Sequence, residues 1–155
     1  MIQAWRITKT TDRRKAFSGE GARLYGGRWN SKGIPVVYAA ATRSLAMLEI
    51  LVHMRNTQQT VPPIPYMLFP ASFDERLIQE LPLSSLPSDW DLEPPTDSTK
   101  SIGDAWVSAA SSPVLSLPSV LVPEERNYIL NPGHNLFAQI QFGSPVPCKF
   151  DPRLL

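Results

Sequence analysis

From Thr42 onward, Leu45, Leu48, Leu51 and Val52 recur at three- and four-residue steps, which predicts a helix running to about Arg55. Thr42 stands where a capping side chain belongs. Ala46, Met47, Ile50 and Met54 widen the apolar stripe until little polar face remains, so this helix is expected to be buried on most sides. Ahead of it, Ala4-Trp5-Arg6-Ile7 and Pro35-Val36-Val37-Tyr38-Ala39-Ala40 read as short strands, the second opened by its proline. Between them lie five of the eight glycines, Gly19, Gly21, Gly26, Gly27 and Gly33. That segment, SGEGARLYGGRWNSKG, reads as a loop whose backbone can approach a ligand closely.

The pattern is less regular afterwards. Ile64 to Phe73 reads as a strand with prolines near its edges, followed by a short helix from Asp74 to Glu80. Residues 82–101, rich in Pro, Ser and Asp, predict an irregular surface excursion. Neither side of it would keep a sufficient core alone, so residues 1–155 are expected to form one domain. A helix over Ile102 to Ala110 and strands over Val114 to Val122 and Val146 to Phe150 complete an α+β class. Sixteen prolines argue against long regular sheets. No apolar run approaches the roughly 20 residues that span a bilayer, so a soluble, cytoplasmic chain without membrane contact is expected. One cysteine, Cys148, and two histidines, His53 and His134, predict neither an internal disulfide nor a metal site.

The formal charge of +1 conceals an asymmetry. Residues 1–56 carry ten Lys/Arg against three Asp/Glu, a balance of +7, which leaves −6 for the rest. A local basic field favours an anionic partner, unless the charges only solvate the surface or pair across the fold. Arg28, next to Gly26-Gly27 and before Trp29-Asn30, offers a planar fork of donors to phosphate, reinforced by nearby backbone N–H groups. Its plainer role is to tie a glycine-rich turn to carbonyl groups. Neither GxxxxGK[ST] nor GxGxxG is present. Glu49 lies in the middle of the apolar helix, where a carboxylate must either reach solvent along a narrow stripe or face a polar cavity. Tyr38 is the strand tyrosine whose hydroxyl should find a partner. His53, four residues after Glu49, shares its helical face: it is either a neighbour that influences the carboxyl or a core or interface histidine.

The ordered pieces Gly19-Glu20-Gly21-Ala22, Gly26-Gly27-Arg28-Trp29-Asn30, Val37-Tyr38-Ala39-Ala40, Leu45-Ala46-Met47-Leu48-Glu49, Pro118-Ser119-Val120-Leu121-Val122-Pro123, Asn127-Tyr128-Ile129-Leu130-Asn131-Pro132 and Phe150-Asp151-Pro152-Arg153-Leu154 together resemble the RES domain. That family is named for an arginine, a glutamate and a serine, matched here by Arg28, Glu49 and Ser119. The likeness runs from Trp5 to Leu154 and is loose between about Thr57 and Ser111. It implies an ADP-ribosyltransferase-like fold, a split β core of short strands with helices around an NAD cleft. It also implies the toxin of a type II toxin–antitoxin system that degrades NAD by hydrolysis or phosphorolysis and arrests growth. A cognate Xre-type DNA-binding antitoxin restrains such a toxin, and a homodimer within the complex is compatible with the resemblance. The alternative it leaves open is ADP-ribosylation of a protein target.

NAD is then substrate, with no permanently bound cofactor and phosphate as a candidate acceptor. Direct nucleic-acid binding is not expected, because Trp5, Tyr25 and Trp29 form no recognisable reading motif. Under the resemblance, Glu49 accepts a hydrogen bond from the nicotinamide ribose and stabilises the oxocarbenium-like transition state. Arg28 grips the diphosphate and Tyr38 packs against nicotinamide or ribose. Ser119 and Asn131 orient ribose or amide by hydrogen bonding. A serine nucleophile would need a histidine base, and neither His53 nor His134 has a sequence context that supplies one to Ser119.

Overall fold

The structure, a computed structural model, describes residues 1–56 and 65–154. Its backbone is one eight-stranded sheet built around β1 (Ile2–Thr8). Along one edge β1 pairs antiparallel with β3 (Tyr66–Phe73), from Ile2 opposite Phe73 to Thr8 opposite Met67. Along the other edge it meets β2 (Val37–Ala40), which pairs onward with β6 (Arg126–Leu130). β6 pairs antiparallel with β5 (Val114–Pro118), and β5 pairs in parallel with β4 (Ile78–Glu80). The outer edge of β3 is shared by β7 (Gln141–Phe142) and β8 (Val146–Cys148). Pro70 falls between those two pairings, where its carbonyl accepts the Gly143 N–H at 2.9 Å. A proline is tolerated there because the edge it faces is already broken.

Side chains alternate across the sheet with the period of two that a strand imposes. In β6, Tyr128 and Leu130 join Phe69, Phe73 and Val37 on one face, while Ile129 joins Leu115 and Leu117 on the other. Helix α4 (Asp97–Ala109) covers that second face through Trp106. Its Thr99, Gly103 and Trp106 form a buried stripe at helical spacing. A Cβ on Gly103 would come within 1.6 Å of the Trp29 carbonyl oxygen, so α4 rests backbone to backbone on the glycine-rich turn. Helix α3 (Arg43–Asn56) packs on β1 and β2, setting Leu45, Ala46 and Met54 against Ile7, Ala40 and Leu68. Helix α1 (Arg13–Ala16) is capped by Asp12, whose carboxylate accepts the Arg14 and Lys15 N–H groups. It delivers Phe17 to the first face, stacked 4.0 Å from Phe142.

Several elements differ from the sequence expectation. The glycine-rich segment is not all loop: α2 (Glu20–Tyr25) forms inside it, with Gly21 in its first turn. Asp74 to Glu80 is not a helix. Asp74 caps a single 3-10 turn over Glu75–Leu77, and the chain then joins β5 as β4, because sheet pairing outweighs a weak local preference. β6 is a strand that the sequence pattern does not announce. The strand at Val114 stops at Pro118, since Ser119 starts a turn, and β8 stops at Cys148. The strand expected from Ile64 begins at Tyr66 among the described residues, Ile64 itself lying outside them. α4 begins at Asp97, inside the expected excursion. Finally, α3 is not buried on most sides: Leu48 is 40% exposed, because one helix face meets the sheet and another lines a cavity. No helix of the described residues is long and apolar enough to cross a membrane.

Candidate active site

A cavity of about 820 Å³ opens beside β1, α3 and the glycine-rich turn, within the range of roughly 300–1,000 Å³ usual for small-molecule sites. Apart from Tyr66 and Asn127, its described lining comes from the first 56 residues. The basic N-terminal segment of the sequence is therefore the part that builds most of the cavity. Arg6, Lys9 and Arg28 line it, and Glu49 is the one carboxylate among the described lining residues. On α3 the spacing of Ala46, Glu49, Ile50 and His53 puts all four on the cavity face.

Glu49 is half-buried and held through a single oxygen. Its Oε1 accepts from Ser119 Oγ at 2.8 Å and from Asn127 Nδ2 at 2.7 Å. Ser119 is fully buried, and its Oγ also accepts the Leu121 and Val122 N–H groups at 3.1 and 3.2 Å. That hydroxyl therefore caps a turn and spends its one proton on Glu49. Among the described residues its hydrogen bonds run to Glu49, Leu121 and Val122. Asn127 comes from the middle of the sheet, opposite Ala40 of β2 and Leu117 of β5. Its amide oxygen is buried without a hydrogen-bond partner among the described residues. Asn131 is not brought to the cavity: its Oδ1 accepts the Gly133 N–H at 3.0 Å and closes the turn after β6. Asn127 is the residue sequence reasoning misses, because an asparagine in RNYIL carries no local sign of a carboxylate 78 positions away.

Arg28 and Tyr38 belong to one knot. Gly27 N–H donates to the Asn30 carbonyl at 3.0 Å, closing the turn that carries Arg28. Asn30 is fully buried; its amide donates to the carbonyls of Ala22 and Ile34, and its Oδ1 accepts the Tyr38 hydroxyl at 2.6 Å. Tyr38 Oη also accepts the Trp29 N–H at 3.1 Å, so the hydroxyl is fully used. Burial pushes the Tyr38 phenol well above its usual range, opposed by that N–H bond. A Cβ on Gly27 would lie 2.6 Å from the Tyr38 oxygen, which is why glycine stands there. Arg28 leaves this turn toward the irregular segment. Nη1 donates to the carbonyls of Trp90 and Leu92 at 3.1 and 2.7 Å, and Nη2 to Glu93 at 2.9 Å. Its side chain is 15% exposed and that of Glu93 56%.

Arg6 is a further cavity cation. It donates to the carbonyls of Ala16 and Tyr38, both at 3.3 Å, and makes no ion pair among the described residues. Burial lowers its guanidinium pKa, and Tyr38 opposes that shift. A partly buried cation with no carboxylate partner among the described residues is a ready contact for an anionic ligand. It is not legible in AWRI, where an arginine reads as the solvent side of a strand. His134 is buried and is not among the residues lining the cavity; its Nε2 lies 2.8 Å from the Ala110 carbonyl. Cys148 is buried, and burial pushes its thiol up. Among the described residues no group of three His, Cys, Asp or Glu could hold a metal ion.

The family model of the RES domain matches residues 3–151. The chain belongs to the RES-domain toxin family. This RES domain is 37% identical to Toxin Res of Yersinia enterocolitica over 154 residues, 99% of each protein. It is 41% identical to Toxin Res of Photorhabdus laumondii over 128 residues, 83% of this chain and 80% of that protein. It is also 33% identical over 156 residues to the Prs ADP-ribosylating toxin of a Sphingobium species, 97% of this chain and 95% of that protein. Among solved structures it resembles the crystal structure of the M. tuberculosis MbcT–MbcA toxin–antitoxin complex. The TM-score is 0.74 at 21% identity, covering 95% of this chain and 84% of that one, a likeness of fold. The α+β class expected from the residues is thus observed, as is the RES fold that the resemblance implies, its short strands joined in one sheet.

Proposed function

We propose that this RES domain is the toxin of a toxin–antitoxin pair and acts in the cytoplasm by cleaving the nicotinamide–ribose bond of NAD. The observation that carries the reading is a cavity lined by cations in which a single carboxylate, Glu49, keeps one oxygen unbonded among the described residues. Glu49 accepts from a hydroxyl of the nicotinamide ribose and stabilises the positive charge that grows on the sugar. The C1′–N bond breaks, its electron pair passes to the pyridinium ring, and nicotinamide leaves neutral. An oxygen of water or phosphate then bonds to C1′ and its proton passes to solvent. Arg6 and Arg28 attract the diphosphate, Arg28 exchanging Glu93 for phosphate as it does so. Tyr38 offers its ring, since its hydroxyl is committed to Asn30 and Trp29. Ser119 acts through Glu49, and Asn131 shapes the neighbouring turn.

A second reading, transfer of ADP-ribose to a protein, is favoured by the 33% identity to a toxin named for ADP-ribosylation. Incubating the purified chain with NAD separates the two. Nicotinamide released with free ADP-ribose, or with a phosphorylated ADP-ribose when phosphate is supplied, is the expected result. Release only in the presence of a protein that gains the mass of ADP-ribose selects the second reading, and no release under any condition rejects both. The partner is an Xre-type antitoxin that covers the basic cavity. In the purified complex NAD affinity should fall sharply, and equal affinity in free and bound toxin would place inhibition elsewhere.

A further inference from the structure

We propose that Asn127 is a positioning residue of this site, which together with Ser119 fixes which oxygen of Glu49 meets the substrate. The inference rests on the NAD-cleaving reading above. Both donors converge on Oε1, at 2.8 Å from Ser119 and 2.7 Å from Asn127, while Oε2 accepts no hydrogen bond among the described residues. Two neutral donors from different strands and turns pin the carboxylate plane and leave one defined oxygen for a ribose hydroxyl. Ser119 is itself immobilised by the two N–H groups it accepts, and Asn127 by backbone pairing to β2 on one side and β5 on the other.

The orientation of the Asn127 amide is dictated by this task. With the amide reversed, its oxygen would face the carboxylate oxygen, acceptor against acceptor. As it stands, Nδ2 serves Glu49 and Oδ1 is buried with no hydrogen-bond partner among the described residues. Buried polar atoms are nearly always satisfied, and asparagine is disfavoured inside strands. The fold therefore carries a residue poor for stability at the one position from which β6 reaches Glu49.

The test uses the purified full chain with Asn127→Leu, Ser119→Ala and the double substitution, followed by NAD consumption and thermal unfolding. Asn127→Leu should lower kcat about tenfold or more through misplacement of the carboxylate. KM for NAD should stay within about twofold, and Tm should be equal or higher because the orphaned oxygen is gone. The double variant should lose much less than the product of the two single losses, since both act through one oxygen. Independent multiplicative losses, a KM effect with unchanged kcat, or a fall in Tm that accounts for the lost activity would each overturn the proposal. If the unaltered chain leaves NAD intact, the NAD reading fails, and a crystal structure of Asn127→Leu decides for Asn127 without turnover. A rotated Glu49 carboxylate there supports the positioning role, and an unmoved one rejects it.

Discussion

Glu49 and Arg28 line the same cavity and bear the charges most suited to its chemistry, but they are held in opposite ways. Glu49 is fixed through one oxygen by neutral donors, Ser119 and Asn127, so a second oxygen stays available. Arg28 is held by two carbonyls and a carboxylate, all within residues 90–93, so an incoming anion meets a guanidinium already engaged. The difference teaches that a charged residue in a recognisable motif is not thereby a free contact. What counts is which of its donor or acceptor atoms remain after the fold has used the others. By that measure Arg6, which has no carboxylate partner among the described residues, is the more available cation.

The contrast breaks most decisively at Glu49. Glu49→Gln keeps the size of the side chain and removes its charge, so NAD consumption should fall about a hundredfold or more while the protein remains folded. Full activity in a folded variant would leave the carboxylate without a role. Tyr38→Phe should cost about 1–3 kcal/mol of stability, because Asn30 Oδ1 and the Trp29 N–H lose a buried partner. Chemical denaturation measures it, and an unchanged midpoint would mean that the turn under Arg28 does not depend on that hydroxyl. Arg28→Lys should weaken NAD binding roughly tenfold, the worth of one charge-assisted hydrogen bond, since an ammonium cannot reproduce the fork. Calorimetric titration giving equal affinity would return Arg28 to a purely structural role. Smallest of all, Glu93→Gln should raise NAD affinity about twofold by easing competition for Arg28, with less than about 1 kcal/mol of stability lost from so exposed a pair. A fall in affinity would show that Glu93 aligns Arg28 instead of competing for it.

Much of the wall of the cavity is legible in the sequence. The period of α3 and the strand ending in Tyr38-Ala39-Ala40 depend on neighbours a few positions apart, and both appear near where the pattern puts them, the strand starting at Val37 and not at Pro35. The glycine cluster misleads only in hiding α2, because glycines counted as loop formers sit at its ends and in its first turn. The interior of the site is less legible. β6 is five residues long and owes its extended state to β2 and β5 on either side. Asn127 has no meaning until that pairing sets it against α3. Arg28 reads as phosphate-seeking because the segment that occupies it lies more than sixty residues further on. Asn131, in an Asn-Pro-Gly sequence, serves the turn that such a sequence favours.

Ser119 and Asn127 lie 70 and 78 residues beyond the glutamate they hold. On a ribosome adding about 5–20 residues per second, Glu49 is therefore made roughly 4–16 s before its second donor. During that interval the basic wall and its carboxylate exist, but β2 lacks its β6 neighbour and Glu49 lacks both partners. A message cut short anywhere in that stretch yields a chain with the charged residues of a toxin and an unassembled site. The assembly of the site is thereby tied to translation having passed Asn127.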